Sequence, residues 1–220
     1  MPRAASPNSI DTQIAKRVSR GPRGTVFTPA MFATLGSRAA IDKALQRQVA
    51  KGALRRLSRG LYDKPRQDAL LGTLWPSVDA VVKAVVGKDK LRVQPAGAYA
   101  ANLLGLSEQV PAKIVMLTDG TTRTVRAGPL QIALKRTSPR NMAGANRLIG
   151  LLIQALKNFG PHHITPQRVA HLRNTLPMAE RAKLLADLDL APAWMRPMLR
   201  DLAHDESSPA TGKATRGPPP

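Results

Sequence analysis

Apolar residues recur every four positions at Ile10, Ile14 and Val18, which predicts a short amphipathic helix stopped by the glycines and proline of "SRGPRG". "TVFTPAMFATLG" then offers a short strand and a second, two-turn helix, with Thr28 as its N-cap, Pro29 at its first position and Gly36 closing it. "SRAAIDKALQRQVAKG" reads as a longer helix capped by Ser37 and ended by Gly52. Its buried stripe is Ile41, Ala44, Leu45 and Val49, so Arg38, Asp42, Lys43, Gln46 and Arg47 face outward. In "KGALRRLSRGLY", Leu54 to Leu57 and Leu61 to Asp63 read as two strands of a hairpin, with Gly60 able to take the positive φ of a tight turn. The alternation is imperfect, because Leu54 and Leu57 fall on opposite faces. Helix, strand, short helix, turn, helix, basic hairpin is the order of a winged helix-turn-helix over residues 10–66.

Pro65 and Pro76 bracket a predicted linker over 67–76. Beyond it the pattern changes. The valines of 78–86 predict a helix, "LRVQP" a strand and "AGAYAANLLGL" a helix closed by Gly105. "KIVMLTDGTTRTV" predicts a hairpin turning at Asp119 and Gly120, and Leu130, Ile132 and Leu134 alternate as a further strand. The rest is helical: Leu148 to Leu156 ending at Gly160, starts at Thr165 with Pro166 and at Pro177, and "PAWMRPMLRDLA" last. The expected fold is therefore α+β and multi-domain, with the winged helix at 10–66, an α/β module and helical region over 77–203, and a disordered tail over 204–220. The start of the chain has Arg, Ser and amphipathic spacing in the manner of a transit peptide but no apolar core of a secretory signal, and reads as a disordered lead.

Charge changes this picture more than composition does. The 220 residues carry 34 Lys+Arg against 14 Asp+Glu, a formal net charge of +20, and residues 1–66 alone hold 14 of the bases and 3 of the acids, a net of +11. Such a field selects polyanionic partners, nucleic acid first. Double-stranded DNA is the partner that a winged helix implies, through Ser37, Arg38, Lys43, Gln46 and Arg47 of the capped helix and Arg55, Arg56 and Arg59 of the hairpin; the architecture allows a homodimer on DNA. An RNA-binding or ribosome-associated role uses the same charge. The aromatics nearest the basic region, Phe27, Phe32 and Tyr62, are expected in the core, which argues against single-strand stacking.

Catalytic chemistry finds few residues to work with. No acid stands between Asp119 and Glu180, so the converging carboxylates of a metal-dependent nuclease or nucleotidyltransferase are not in evidence. His162 and His163 are adjacent and His171 lies eight residues on, which is not metal-ligand spacing. No phosphate-binding loop occurs, and the methionines read as core filler. The expectation is a protein that is not an enzyme and holds no cofactor or metal. Without cysteine it suits a reducing cytoplasm, and no run is long enough to span a membrane.

"VFTPAMFATLGSRAAIDKALQRQVAKGALRRLSRGLYDKPR", "RVQPAGAYAANLLGLSEQVPAKIVMLTDG" and "LKRTSPRNMAG", in that order, resemble the AbiEi-type antitoxins of bacterial type IV toxin–antitoxin (abortive infection) systems. The resemblance runs from about Ile10 to Ala203. It implies an N-terminal DNA-binding domain that represses its own operon, and a C-terminal domain that antagonises a nucleotidyltransferase-type toxin. By position, the helix from Ser37 would be the recognition helix and Arg55, Arg56 and Arg59 the wing. No residue is assigned to toxin neutralisation.

Overall fold

The computed structural model describes residues 9–87 and 91–204. The predicted lead before Ser9 and the tail beyond His204 lie outside the described residues. The described chain mixes helix and sheet and divides into two compact units, 1–93 with 111–138, and 94–110 with 139–220.

The first unit begins with α1 (Ile10–Arg20), capped by Ser9, whose hydroxyl accepts from the Thr12 amide, and burying Ile14 and Val18. β1 (Val26–Phe27) leads into a 3₁₀ segment (Pro29–Leu35), tighter than the α-helix expected there. Seven residues, opened by Pro29 and closed by Gly36, are few for α-helical bonding, and short runs commonly close i to i+3. α2 (Arg38–Ala50), β2 (Arg55–Ser58) and β3 (Leu61–Asp63) follow. The three strands form a sheet of order β1-β3-β2, antiparallel throughout. The β2–β3 register slips between Arg56 and Ser58, a bulge that explains the imperfect leucine alternation. Gly60 turns the hairpin at φ +72°, where a side chain would be strained. Ile14, Val18, Phe27, Phe32, Ile41, Ala44, Leu45, Leu54 and Tyr62 make one aliphatic and aromatic core.

The boundary expected at 67–76 falls inside this unit. Those residues fold as a hairpin, β4 (Arg66–Asp68) and β5 (Gly72–Leu74), because the Asp68 carboxylate accepts from the Leu70 and Leu71 amides and closes the turn. α3 (Val78–Val86), capped by Ser77, packs beside β1. β6 (Val93–Ala96) opens at the last residue of the unit's first segment, and within this unit β7 (Lys113–Thr118), β8 (Arg123–Ala127) and β9 (Leu130–Arg136) form a sheet with β9 between β7 and β8.

That order corrects the hairpin expected at Asp119 and Gly120. β7 does not pair with β8; it runs parallel to β9, from Lys113↔Gln131 to Thr118↔Arg136. Asp119 is drawn instead to Arg92, accepting from its amide at 2.9 Å and its Nε at 3.0 Å. The Arg92 hydrogen bonds hold the Asp119 carboxyl below its ordinary range, outweighing desolvation. The hairpin lies one strand later, where Ala127↔Leu130 closes a two-residue turn at Gly128 and Pro129. Gly128 sits at φ +62°, and any Cβ there would collide with the Trp75 ring. An Asp-Gly pair is a local signal; β7, with Ile114 and Met116 buried, pairs along its length with β9 and overrides it.

The second unit is helical: α4 (Gly97–Leu103), α5 (Pro139–Met142), α6 (Leu148–Phe159), α7 (Pro166–Thr175), α8 (Met178–Ala182), α9 (Leu184–Asp187) and α10 (Arg196–Ala203). α6 is covered on nearly all sides, burying seven residues between Ile149 and Leu156, and its core partners include Ala100, Leu172, Leu199 and Leu202. A helix apolar around most of its circumference belongs at the centre of a bundle. Among the described residues, no helix is long and apolar enough to cross a membrane.

Candidate nucleic-acid interface

The basic surface of the first unit is built from α2 outward. The Ser37 hydroxyl accepts from the Ala40 amide at 3.3 Å and so starts the helix, satisfying a donor that has no helical partner. Burial of Ile41, Ala44 and Leu45 pins the inner face, with Gln48 also buried where Val49 was expected. The outer face is thereby presented to solvent. Lys43 and Gln46 lie there exposed, one turn apart, with no side-chain partner among the described residues.

The other two predicted side chains of this face are engaged. Arg38 is paired with Asp42 through Nε at 2.9 Å, an exposed i, i+4 bridge. Arg47 donates from Nε to Asp11 at 3.1 Å, and Lys51 adds its charge to the same carboxylate at 3.6 Å. Burial pushes the Asp11 carboxyl up, but the hydrogen bond and charge of Arg47 and the charge of Lys51 outweigh it, and the group sits below its ordinary value. These pairs fix α1 against α2 and orient the helix more than they offer cations to a ligand.

The β2–β3 turn stands beside the start of α2: a Cβ built on Gly60 would lie 3.8 Å from Arg38 Nη2. Arg56 and Arg59 of this hairpin are exposed and free of ion pairs among the described residues. Arg55 is not. Its Nε and Nη2 bond the Asp63 carboxylate at 3.0 and 2.7 Å, Nη2 also reaches the Leu74 carbonyl at 2.8 Å, and the guanidinium lies 4.2 Å from the Trp75 ring centre. Asp63 is 1% exposed, so the pair is a buried structural lock. Neighbouring Lys64 is likewise bound, to the Ser19 and Gly21 carbonyls.

Of the eight positions read from the sequence, Lys43, Gln46, Arg56 and Arg59 offer free exposed side chains. Ser37 caps, and Arg38, Arg47 and Arg55 hold carboxylates. Further cations, Lys83, Arg123 and Arg126, lie far along the chain yet share a groove with Arg59; no local pattern in the sequence marks them. Their signal is tertiary, since only the packing of α3 and β8 within this unit brings them together. Among the described residues, no group of three His, Asp or Glu side chains is placed to hold a metal ion.

A family model described as "family of unknown function (DUF6088)" matches residues 13–184. The chain belongs to that family. No curated protein matches it. Among solved structures, it is similar to the crystal structure of RV2827C protein from Mycobacterium tuberculosis, at 15% identity and a TM-score of 0.44, covering 88% of this chain and 81% of that one.

Proposed function

We propose that this DUF6088 protein is a cytoplasmic, DNA-binding transcriptional repressor with a winged helix-turn-helix, and that it serves as the antitoxin of a type IV toxin–antitoxin system, antagonising a nucleotidyltransferase-type toxin. The observation that carries the DNA-binding half is one surface. A Ser37-capped helix exposes Lys43 and Gln46 beside a hairpin that exposes Arg56 and Arg59. Lysine and glutamine are side chains that read base edges in a major groove, and flanking arginines meet phosphates. The antitoxin half rests on the resemblance of the three long stretches quoted above.

In this reading Arg38, Arg47 and Arg55 position the surface instead of touching DNA. A gel shift of the full chain on duplex DNA from upstream of its own gene, against scrambled duplex, tests it. Retarded operator with weaker scrambled binding is expected, with log K falling by about 0.9 per log unit of salt for each phosphate contact. Equal binding to both duplexes at all salt concentrations would remove the repressor assignment. Growth rescue of cells expressing the neighbouring toxin gene tests the second half.

A further inference from the structure

The first unit has a second cationic feature that the α2 face does not explain. A groove of about 1880 Å³ is lined by six cationic side chains and a single carboxylate, Asp79. It runs past the β2–β3 turn, α3 and the edge strand β8. Arg59, Arg66, Lys83, Arg123 and Arg126 are all exposed there, and none is in an ion pair among the described residues. Arg123 spends one Nη2 donor on the Val85 carbonyl at 2.9 Å.

Cations on an edge strand often serve only to prevent edge pairing, which would cover Arg123 and Arg126. That account does not reach Lys83 on α3, Arg59 at one hairpin turn or Arg66 on another hairpin. The volume is well beyond the ~300–1,000 Å³ of small-molecule pockets and leaves room for an extended ligand. A concave trough admits a single strand more readily than a duplex. The sequence pointed away from single strands because Phe27, Phe32 and Tyr62 are core residues, as they are here. It overlooked Trp75, which is 47% exposed and lines this groove, its ring braced by the Arg55 guanidinium.

The geometry points to a single-stranded nucleic-acid site in this groove, in which Arg59, Arg66, Lys83, Arg123 and Arg126 meet successive phosphates and Trp75 stacks a base. Charged grooves with a stacking aromatic bind single strands with little sequence preference. This site goes beyond the duplex surface, with which it shares only Arg59.

The test uses the full chain and fluorescein-labelled oligo-dT of about 12 nucleotides, within the ~4–16 that such grooves occupy. Anisotropy should show saturable binding whose log K falls by about 0.7 per log unit of salt for each phosphate. Lys83→Ala with Arg126→Ala should weaken it at least tenfold and flatten the slope by about 1.4. In a Trp194→Phe chain, where Trp75 is the sole tryptophan, oligo-dT should quench the emission while heparin, which has charge but no bases, should not. Absence of saturable binding, no effect of the double substitution, or polyglutamate binding as tightly as oligo-dT would each overturn the proposal, the last by marking a polypeptide groove. Lys43→Ala with Gln46→Ala separates the two readings: it should spare oligo-dT and weaken operator duplex, so either site can fail while the other stands.

Discussion

The two compact units carry equal numbers of acids and very different charge. The first holds 23 Lys+Arg and 7 Asp+Glu, net +16; the second holds 11 and 7, net +4. The contrast is sharper in how the cations are used. In the second unit Arg147 is tied to Asp187, Arg173 to Asp201 and Arg196 to the Ala191 carbonyl, while Arg181 is buried and donates to the Leu202 carbonyl. In the first, Lys43, Arg56, Arg59, Arg66, Lys83 and Arg126 are exposed and unspent among the described residues. Most of the total of +20 therefore belongs to the first unit. Long-range attraction of a polyanion depends on the uncompensated charges, and more of these lie on the first unit than on the second, where Arg140 and Arg200 are exposed and without an ion pair among the described residues.

The comparison breaks most completely if the first unit is cut. A chain of residues 1–70 lacks α3 and β8, which pack beside β1 and β2, and should show no cooperative thermal transition by circular dichroism. A sharp melt would mean the N-terminal part folds alone. Next in size, Lys43→Ala, Gln46→Ala, Arg56→Ala and Arg59→Ala together should lower operator affinity about 1000-fold, taking two base contacts at ~2 kcal/mol each. Arg147→Ala and Arg196→Ala in the second unit should change it less than about twofold; equal losses from both sets would leave no distinction between the units.

Smaller effects sharpen the same point through stability. Arg55→Ala strands the Asp63 carboxylate without its partner and should cost about 3 kcal/mol in denaturant titration, with Arg55→Ala/Asp63→Ala recovering part of it. Arg173→Ala, whose partner Asp201 is largely exposed, should cost under about 1 kcal/mol. A comparable loss from each would show that the two ion pairs are not of different kinds. The least effect is in pH. With its folded value depressed, Asp11 stabilises above its unfolded value near 3.8 and loses that contribution as pH falls through the folded one. Asp11→Asn should therefore lower Tm slightly at pH 6, by an amount that shrinks as pH falls through the folded value.

What the sequence disclosed follows the range of the forces involved. Caps and periodicity are local, so α1, α2 and the β2–β3 hairpin were legible from Ile14, Ser37, Ile41 and Gly60. The 3₁₀ turn at Pro29 differs only in how tightly it winds. The Asp119 hairpin failed because strand pairing is decided by partners elsewhere, and a parallel β7–β9 pair has no turn to announce it. The unit boundary was missed for the same reason: Pro65 and Pro76 punctuate the chain, but Pro76 is buried and the hairpin between them is held by Asp68. At the interface, residue type was readable and availability was not. Arg55 and Arg56 are adjacent and chemically identical; only the carboxylate of Asp63 tells them apart.

The interrupted course of the first unit has a consequence for its synthesis. Its last strands, β8 and β9, emerge only after the 94–110 excursion into the other unit has been made. At ~5–20 residues per second, the 45 residues separating the end of the N-terminal segment at 93 from 138 take about 2–9 s to appear. During that interval the apolar faces that await β8 and β9 stand uncovered, on a nascent chain that already carries most of the protein's positive charge. Anything that stalls translation between residues 93 and 138 should leave a basic, unfinished and aggregation-prone species, so the supply of the folded protein is tied to uninterrupted elongation through that window.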